Sequence, residues 1–194
     1  MNEQRQELYN QLVNRLIHHP AGEESDLLQA NSDLVDLGLF NTIAEAENVL
    51  TAQNNTDAAT QLHDINHKLL AANGFNSLDE MRNVYYKCLI EILEAVVKKS
   101  TPEVVYPVFL RHLNKLNIHL AWILQFWTGK KLLANQEQES LDSITIAEII
   151  FNFATIIQEF PLGDIANYQE IAIMAYELVL YIYTEQDLDR KSVV

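Results

Sequence analysis

Two histidines one helical turn apart, in His63-Asp64-Ile65-Asn66-His67, are the residues of this chain best spaced for chemistry. On a helix, that spacing puts both imidazoles on one face, where they could ligate zinc. The string H-D-x-x-H differs from the zinc-hydrolase pattern H-E-x-x-H by a methylene. Asp64 reaches less far than glutamate as a general base, and no H-x-x-G-x-x-H continuation supplies a third ligand. Glu91 or Glu94 would have to fold back across a helix hairpin to complete the site. Solvated histidines fit better, with His63 at the edge of an apolar face and His67 farther out. A metal-dependent hydrolase using His63 and His67 stands as the weaker rival.

The remaining reactive side chains read as structural. Cys88, the single cysteine, lies inside an apolar stripe, which predicts a buried and inert thiol. His112 and His119 share a helix face only if one helix continues past Asn117, and His112 alternates with core positions Phe109 and Leu113. Thr128-Gly129-Lys130-Lys131 lacks the glycine spacing of a phosphate loop and follows a helix rather than a strand. Trp122, Phe126 and Trp127, with Tyr85, Tyr86 and Tyr106, could line a small-molecule pocket, although core packing accounts for them as well. No catalytic residue, cofactor or metal is therefore assigned, and the chain reads as non-enzymatic.

What would position these residues is helical. The chain has 194 residues, is 48% hydrophobic and holds only 5 Gly and 4 Pro, too few to punctuate many short strands. One domain, 1–194, accommodates this length, with a possible subdivision into 1–74 and 75–194. The net charge of −14 is uneven, with a mildly basic middle between two acidic flanks, which argues against nucleic-acid binding. Glu148, Gln169 with Glu170, and Glu177 interrupt the apolar runs near the C-terminus, against a membrane span. The polar start lacks a signal-peptide pattern, and a cytoplasmic location follows.

Helical spacing predicts a first helix over Glu3–His18, ended by Pro20 and Gly22, and a short acidic helix over Glu23–Ala30. A third helix runs to about Leu50. Thr56 caps a fourth, which Asn73-Gly74 closes. Ser77-Leu78-Asp79-Glu80 is a capping box, in which Ser77 accepts from the Glu80 amide and the Glu80 carboxylate reaches back to the Ser77 amide. The core face of the helix it opens is Met81, Val84, Tyr85, Cys88, Leu89, Ile92 and Val96. Pro102 suits the first position of the next helix. Pro107 predicts a kink near Tyr106 or a later start, after which the pattern runs through Trp127 with an interruption near Asn117. A polar loop over Asn135–Asp142 precedes a last pair of helices, split by Pro161-Leu162-Gly163. The whole reads as all-α: seven to eight antiparallel helices in an irregular helical-repeat, tetratricopeptide-like bundle.

That last pair is apolar on nearly every face. Along Ile165–Tyr183, Ile171, Met174, Ala175, Leu178 and Ile182 make one core stripe. Ile173, Tyr176, Leu180 and Tyr183 are then left on faces that are polar in an ordinary surface helix. These four form the expected interaction surface, covered by a second copy in a two-fold homodimer or by a repeat protein. A protein-protein interaction or scaffold module is the leading function, with a helical small-ligand sensor as the alternative.

Several strings resemble a known family: Asn2-Glu3-Gln4-Arg5-Gln6, Pro20-Ala21-Gly22-Glu23-Glu24, Asn31-Ser32-Asp33-Leu34-Val35-Asp36, Pro102-Glu103-Val104-Val105-Tyr106-Pro107 and Phe160-Pro161-Leu162-Gly163-Asp164-Ile165-Ala166-Asn167. They are similar to the N-terminal helical region of large cyanobacterial tetratricopeptide-repeat proteins, in which a repeat array and often a caspase-like CHAT domain follow. The resemblance implies a lead-in module without the array, engaged in interaction or scaffolding. It brings no catalytic residue to this region.

Overall fold

The computed structural model describes residues 3–19, 22–135 and 141–192, and within these every regular element is helical. The chain divides into two compact units, Met1–Asn83 and Val84–Val194. The long helix α5 (Leu78–Lys98) runs through the division.

The first unit contains α1 (Glu3–His18), α2 (Glu24–Gln29), α3 (Leu37–Ala52) and α4 (Thr56–Ala72), with a 3₁₀ turn at Ser32–Leu34. Its helices α1, α3 and α4 pack on one another, and Tyr9, Leu12, Val13 and Leu16 of α1 are buried. A buried carboxylate ties α1 to the start of α3. Asp36, fully buried, caps α3 by accepting from the amides of Gly38 (2.8 Å) and Leu39 (3.2 Å). It also accepts from the Tyr9 hydroxyl (2.6 Å) and from the Arg5 guanidinium (2.6 Å), which in turn reaches the Asp33 carbonyl (2.7 Å). Burying a charge is costly unless it is paired and hydrogen-bonded, and this one is both.

Thr56 is the first helical residue of α4, with Asn55 in the cap position, so the expected threonine cap is displaced by one residue. The reason lies just upstream. Asn54 adopts a left-handed φ of 60° and lets the Asn55 amide close on the Leu50 carbonyl (2.9 Å), which ends α3 and sets where α4 begins. The capping box at α5 is half as expected. The Glu80 amide donates to Ser77 Oγ (3.1 Å), but the Glu80 carboxylate passes Ser77 and takes the backbone amide (2.8 Å) and side-chain amide (3.0 Å) of Asn76, which offers two donors together.

The second unit adds α6 (Pro102–Arg111), α7 (Ile118–Asn135), α8 (Ser143–Gln158) and α9 (Ile165–Ser192), with a 3₁₀ turn at Leu113–Lys115. Pro102 occupies the start of α6, and the helix continues through Pro107 without restarting. The run expected from Pro102 through Trp127 is two helices. The break falls at Asn117, whose Oδ1 accepts from the His119 amide (3.1 Å) while its Nδ2 donates to the buried Tyr85 hydroxyl (2.9 Å). The polar loop over 136–140 lies outside the described residues, as do Pro20 and Ala21.

Helices α8 and α9 are the most extensively packed pair, and α7 lies mainly against α9. Phe160 meets Tyr168 (5.6 Å between ring centroids) next to the turn, and farther along Phe151 meets Tyr176 (5.7 Å), so the chain doubles back as a hairpin. Its turn is clasped. Tyr168 donates to the Leu162 carbonyl (2.7 Å), Gly163 takes a φ of +96°, and Asp164 accepts from the amides of Ala166 (3.0 Å) and Asn167 (3.3 Å) at the start of α9. Phe160 also packs on Tyr106 (4.9 Å) and Phe109 (5.2 Å), which brings α6 onto the turn.

Candidate interaction surface

The chemically suggestive residues do not converge. His63, on α4, is exposed, and its Nδ1 lies 3.0 Å from Glu47 Oε1 on α3; Asp64 and His67 are exposed beside it. Among the described residues, no three His, Cys, Asp or Glu side chains are grouped to hold a metal ion. Glu91, one of the two conceivable third ligands, is engaged by His112 Nε2 (2.9 Å), and these contacts, with Arg111 nearby (3.8 Å), hold its carboxyl below the usual range. His119 is buried edge-on to Tyr85 (5.4 Å), so the break at Asn117 gives the two histidines different surroundings. Cys88 is buried, and burial pushes its thiol up to about 12, so the nucleophilic thiolate is scarce at neutral pH.

Trp122 and Trp127 are buried core residues. The groove that the first unit does carry lies between α1 and α3, encloses about 280 Å³ and is lined by Val13, Ile17, Thr42, Glu45 and Val49 among others.

The apolar face of the C-terminal hairpin is the more substantial feature. The buried side of α9 is Tyr168, Ile171, Ala172, Ala175, Val179 and Ile182. Met174 and Leu178, expected in that stripe, are only half-buried, because the helix is turned toward Ala172 and Val179. Flanking that side, Ile173 (57% exposed), Leu180 (67%) and Tyr183 (44%) stand in solvent. At 3.6 residues per turn these residues and Tyr176 fall within an arc of about 80°. Tyr176 itself is half-buried: its ring leans on Phe151 of α8 and its hydroxyl is 3.3 Å from Thr155 Oγ1.

That contact extends the surface onto α8. Phe151 (50% exposed) and Ile144 (41%), two turns apart, share the outward side of α8, which continues the α9 strip. Neither stands out in the amino-acid pattern of α8. The available signal was their seven-residue spacing, hidden in a helix apolar all round. Tyr181 (55% exposed) adds apolar area on another side of α9.

No protein-family model matches this chain, and no curated protein or solved structure shows significant similarity to it. Among the described residues, no helix is long and apolar enough to cross a membrane.

Proposed function

We propose that this chain is a non-enzymatic protein-interaction or scaffold module that docks a partner protein on the outward face of the α8–α9 hairpin. The observation that carries this reading is the exposure of Ile173, Leu180, Tyr183 and Phe151 on adjacent helices, next to a well-filled core. Contiguous exposed apolar surface of this kind marks association sites in folded proteins. Single exposed apolar residues are ordinary, but here they recur along α9 and again, two turns apart, on α8. A cytoplasmic scaffold related to the lead-in region of tetratricopeptide-repeat proteins, with the face available to a repeat-like neighbour, is consistent with this placement.

The test is substitution on the surface. Ile173→Glu and Leu180→Glu should leave helicity and melting temperature close to wild type, since both positions are exposed, while lowering association with the chain's protein partner, or with itself, by at least about tenfold. Native-host pull-down identifies a hetero-partner, and purified components give the affinity. Charge variants that bind every identified partner as tightly as wild type would remove this surface from consideration.

A further inference from the structure

We infer that the occupant of the α8–α9 surface is the exposed face of α7 on a second copy of this chain, an inference that rests on the docking role proposed for that surface. The two faces carry the same pattern with opposite charge. On α9, Ile173 and Leu180 bracket Glu177; on α7, Phe126 and Leu133 bracket Lys130. In both, the charge lies four residues after the first apolar residue and the second apolar residue lies seven after it. Phe126 is 53% and Leu133 68% exposed, closely matching Ile173 and Leu180, and both charged side chains are exposed. At 1.5 Å per residue the apolar pairs are each about 10 Å apart. Laid side by side in parallel, the helices would set Phe126 against Ile173, Leu133 against Leu180 and Lys130 against Glu177. The Lys130 ammonium already lies 4.7 Å from the Phe126 ring centroid, which keeps the cation over the strip.

The wider charge distribution points the same way. Residues 141–184 contain six carboxylates and no lysine, arginine or histidine, whereas the charged residues of Ile118–Asn135 are Lys130 and Lys131 alone. A two-fold dimer that used the hairpin face twice would bring its acidic rim, Glu148 and Glu177 included, toward a second acidic rim. Pairing with α7 replaces that repulsion by attraction. Neither Lys130 nor Glu177 takes part in an ion pair among the described residues, so both charges are available to a neighbour. Because the two strips are different surfaces, every copy offers one of each. Association is then head to tail and continues into longer assemblies or a closed ring.

The experiment uses the full chain in multi-angle light scattering over a micromolar concentration series, with Leu180→Glu, Leu133→Glu and their equimolar mixture. Wild type should grow beyond a dimer and dissociate with added salt. Each variant alone should remain monomeric, because one of its two faces is spoiled, and the mixture should form a dimer and stop there. Lys130→Glu should weaken assembly by about tenfold or more, and adding Glu177→Lys to the same chain should restore it. A wild type that stays monomeric at high micromolar concentration overturns the inference and leaves the docking surface to a different protein. Assembly abolished by Leu180→Glu but untouched by Leu133→Glu likewise overturns the α7 assignment while supporting the surface. If neither variant affects assembly, both readings fail.

Discussion

Replacing Asp36 by alanine removes one acceptor from four donors: the Arg5 guanidinium, the Tyr9 hydroxyl and the amides of Gly38 and Leu39. The losses differ in kind. Losing the cap of α3 costs about 0.5–2 kcal/mol. Leaving the buried Tyr9 hydroxyl without its acceptor adds about 1–3 kcal/mol. Arg5 keeps a third of its side-chain exposure, so water recovers most of its solvation and its ion pair contributes at most about 1 kcal/mol. These contributions share one carboxylate and overlap, so the expected loss is about 1.5–5 kcal/mol. For a chain of this size, that lowers the melting temperature by roughly 3–20 °C. Urea and thermal melts followed by circular dichroism at neutral pH read the change. Tyr9→Phe, which removes one donor and leaves the carboxylate its other three, should fall between wild type and Asp36→Ala. A loss under about 1 kcal/mol for Asp36→Ala would mean that burying the charge costs as much as its bonds return, and would refute the view that this network holds α1 to α3.

Gly163→Ala should destabilise by about 2–3 kcal/mol in the same melts, because the residue has positive φ and a Cβ there would collide with the Tyr168 hydroxyl; Tyr168→Phe should recover part of the loss. Ser77→Ala should cost about 0.5–2 kcal/mol by freeing the Glu80 amide, and a value indistinguishable from zero would show that the cap is idle. Stability should fall as pH rises above about 9–10. Burial and the Asp36 charge raise Tyr9, and burial raises Cys88 to about 12, so both groups hold their protons more tightly folded than unfolded and lose that contribution as the solution becomes alkaline. Cys88→Ala should flatten part of this fall, and a thiol reagent should modify native protein no faster than the protein opens. Finally, His63→Ala should leave stability within about 1 kcal/mol, since the ring is mostly exposed and its Glu47 partner is a surface contact, and elemental analysis of wild type should find no stoichiometric zinc.

The helical character of the chain and many element positions were legible because local sequence determines them. Glu3–His18 shows its buried stripe directly, and Ser77 and Gly74 mark ends by chemistry within a few residues. The split near Asn117 was legible as an interruption, although Leu113, Leu116 and Leu120 keep helical spacing across it; what the local sequence hides is that the Asn117 side chain caps one helix while bonding Tyr85 on another. The Asp36 network was hidden for the same reason, as its members are 27 and 31 residues apart in sequence. Exposure of Ile173, Leu180 and Tyr183 could be read from the all-round apolarity of α9. Which side of α8 faces outward could not, because an all-apolar helix shows its orientation only through the neighbours it packs against.

Two clasps in this molecule make opposite demands on a chain that is still folding. The bond from Tyr168 to the Leu162 carbonyl closes over six residues, and the bond from Tyr9 to Asp36 over 27. Closure entropy grows with the logarithm of the loop, so the longer clasp costs about 1 kcal/mol more to close, and it forms only after α1 and α3 have found each other. The C-terminal turn can therefore organise early, while docking of α1 waits on long-range search. Gly163→Ala should then slow folding, whereas Asp36→Ala should chiefly speed unfolding, which stopped-flow refolding and unfolding rates would read.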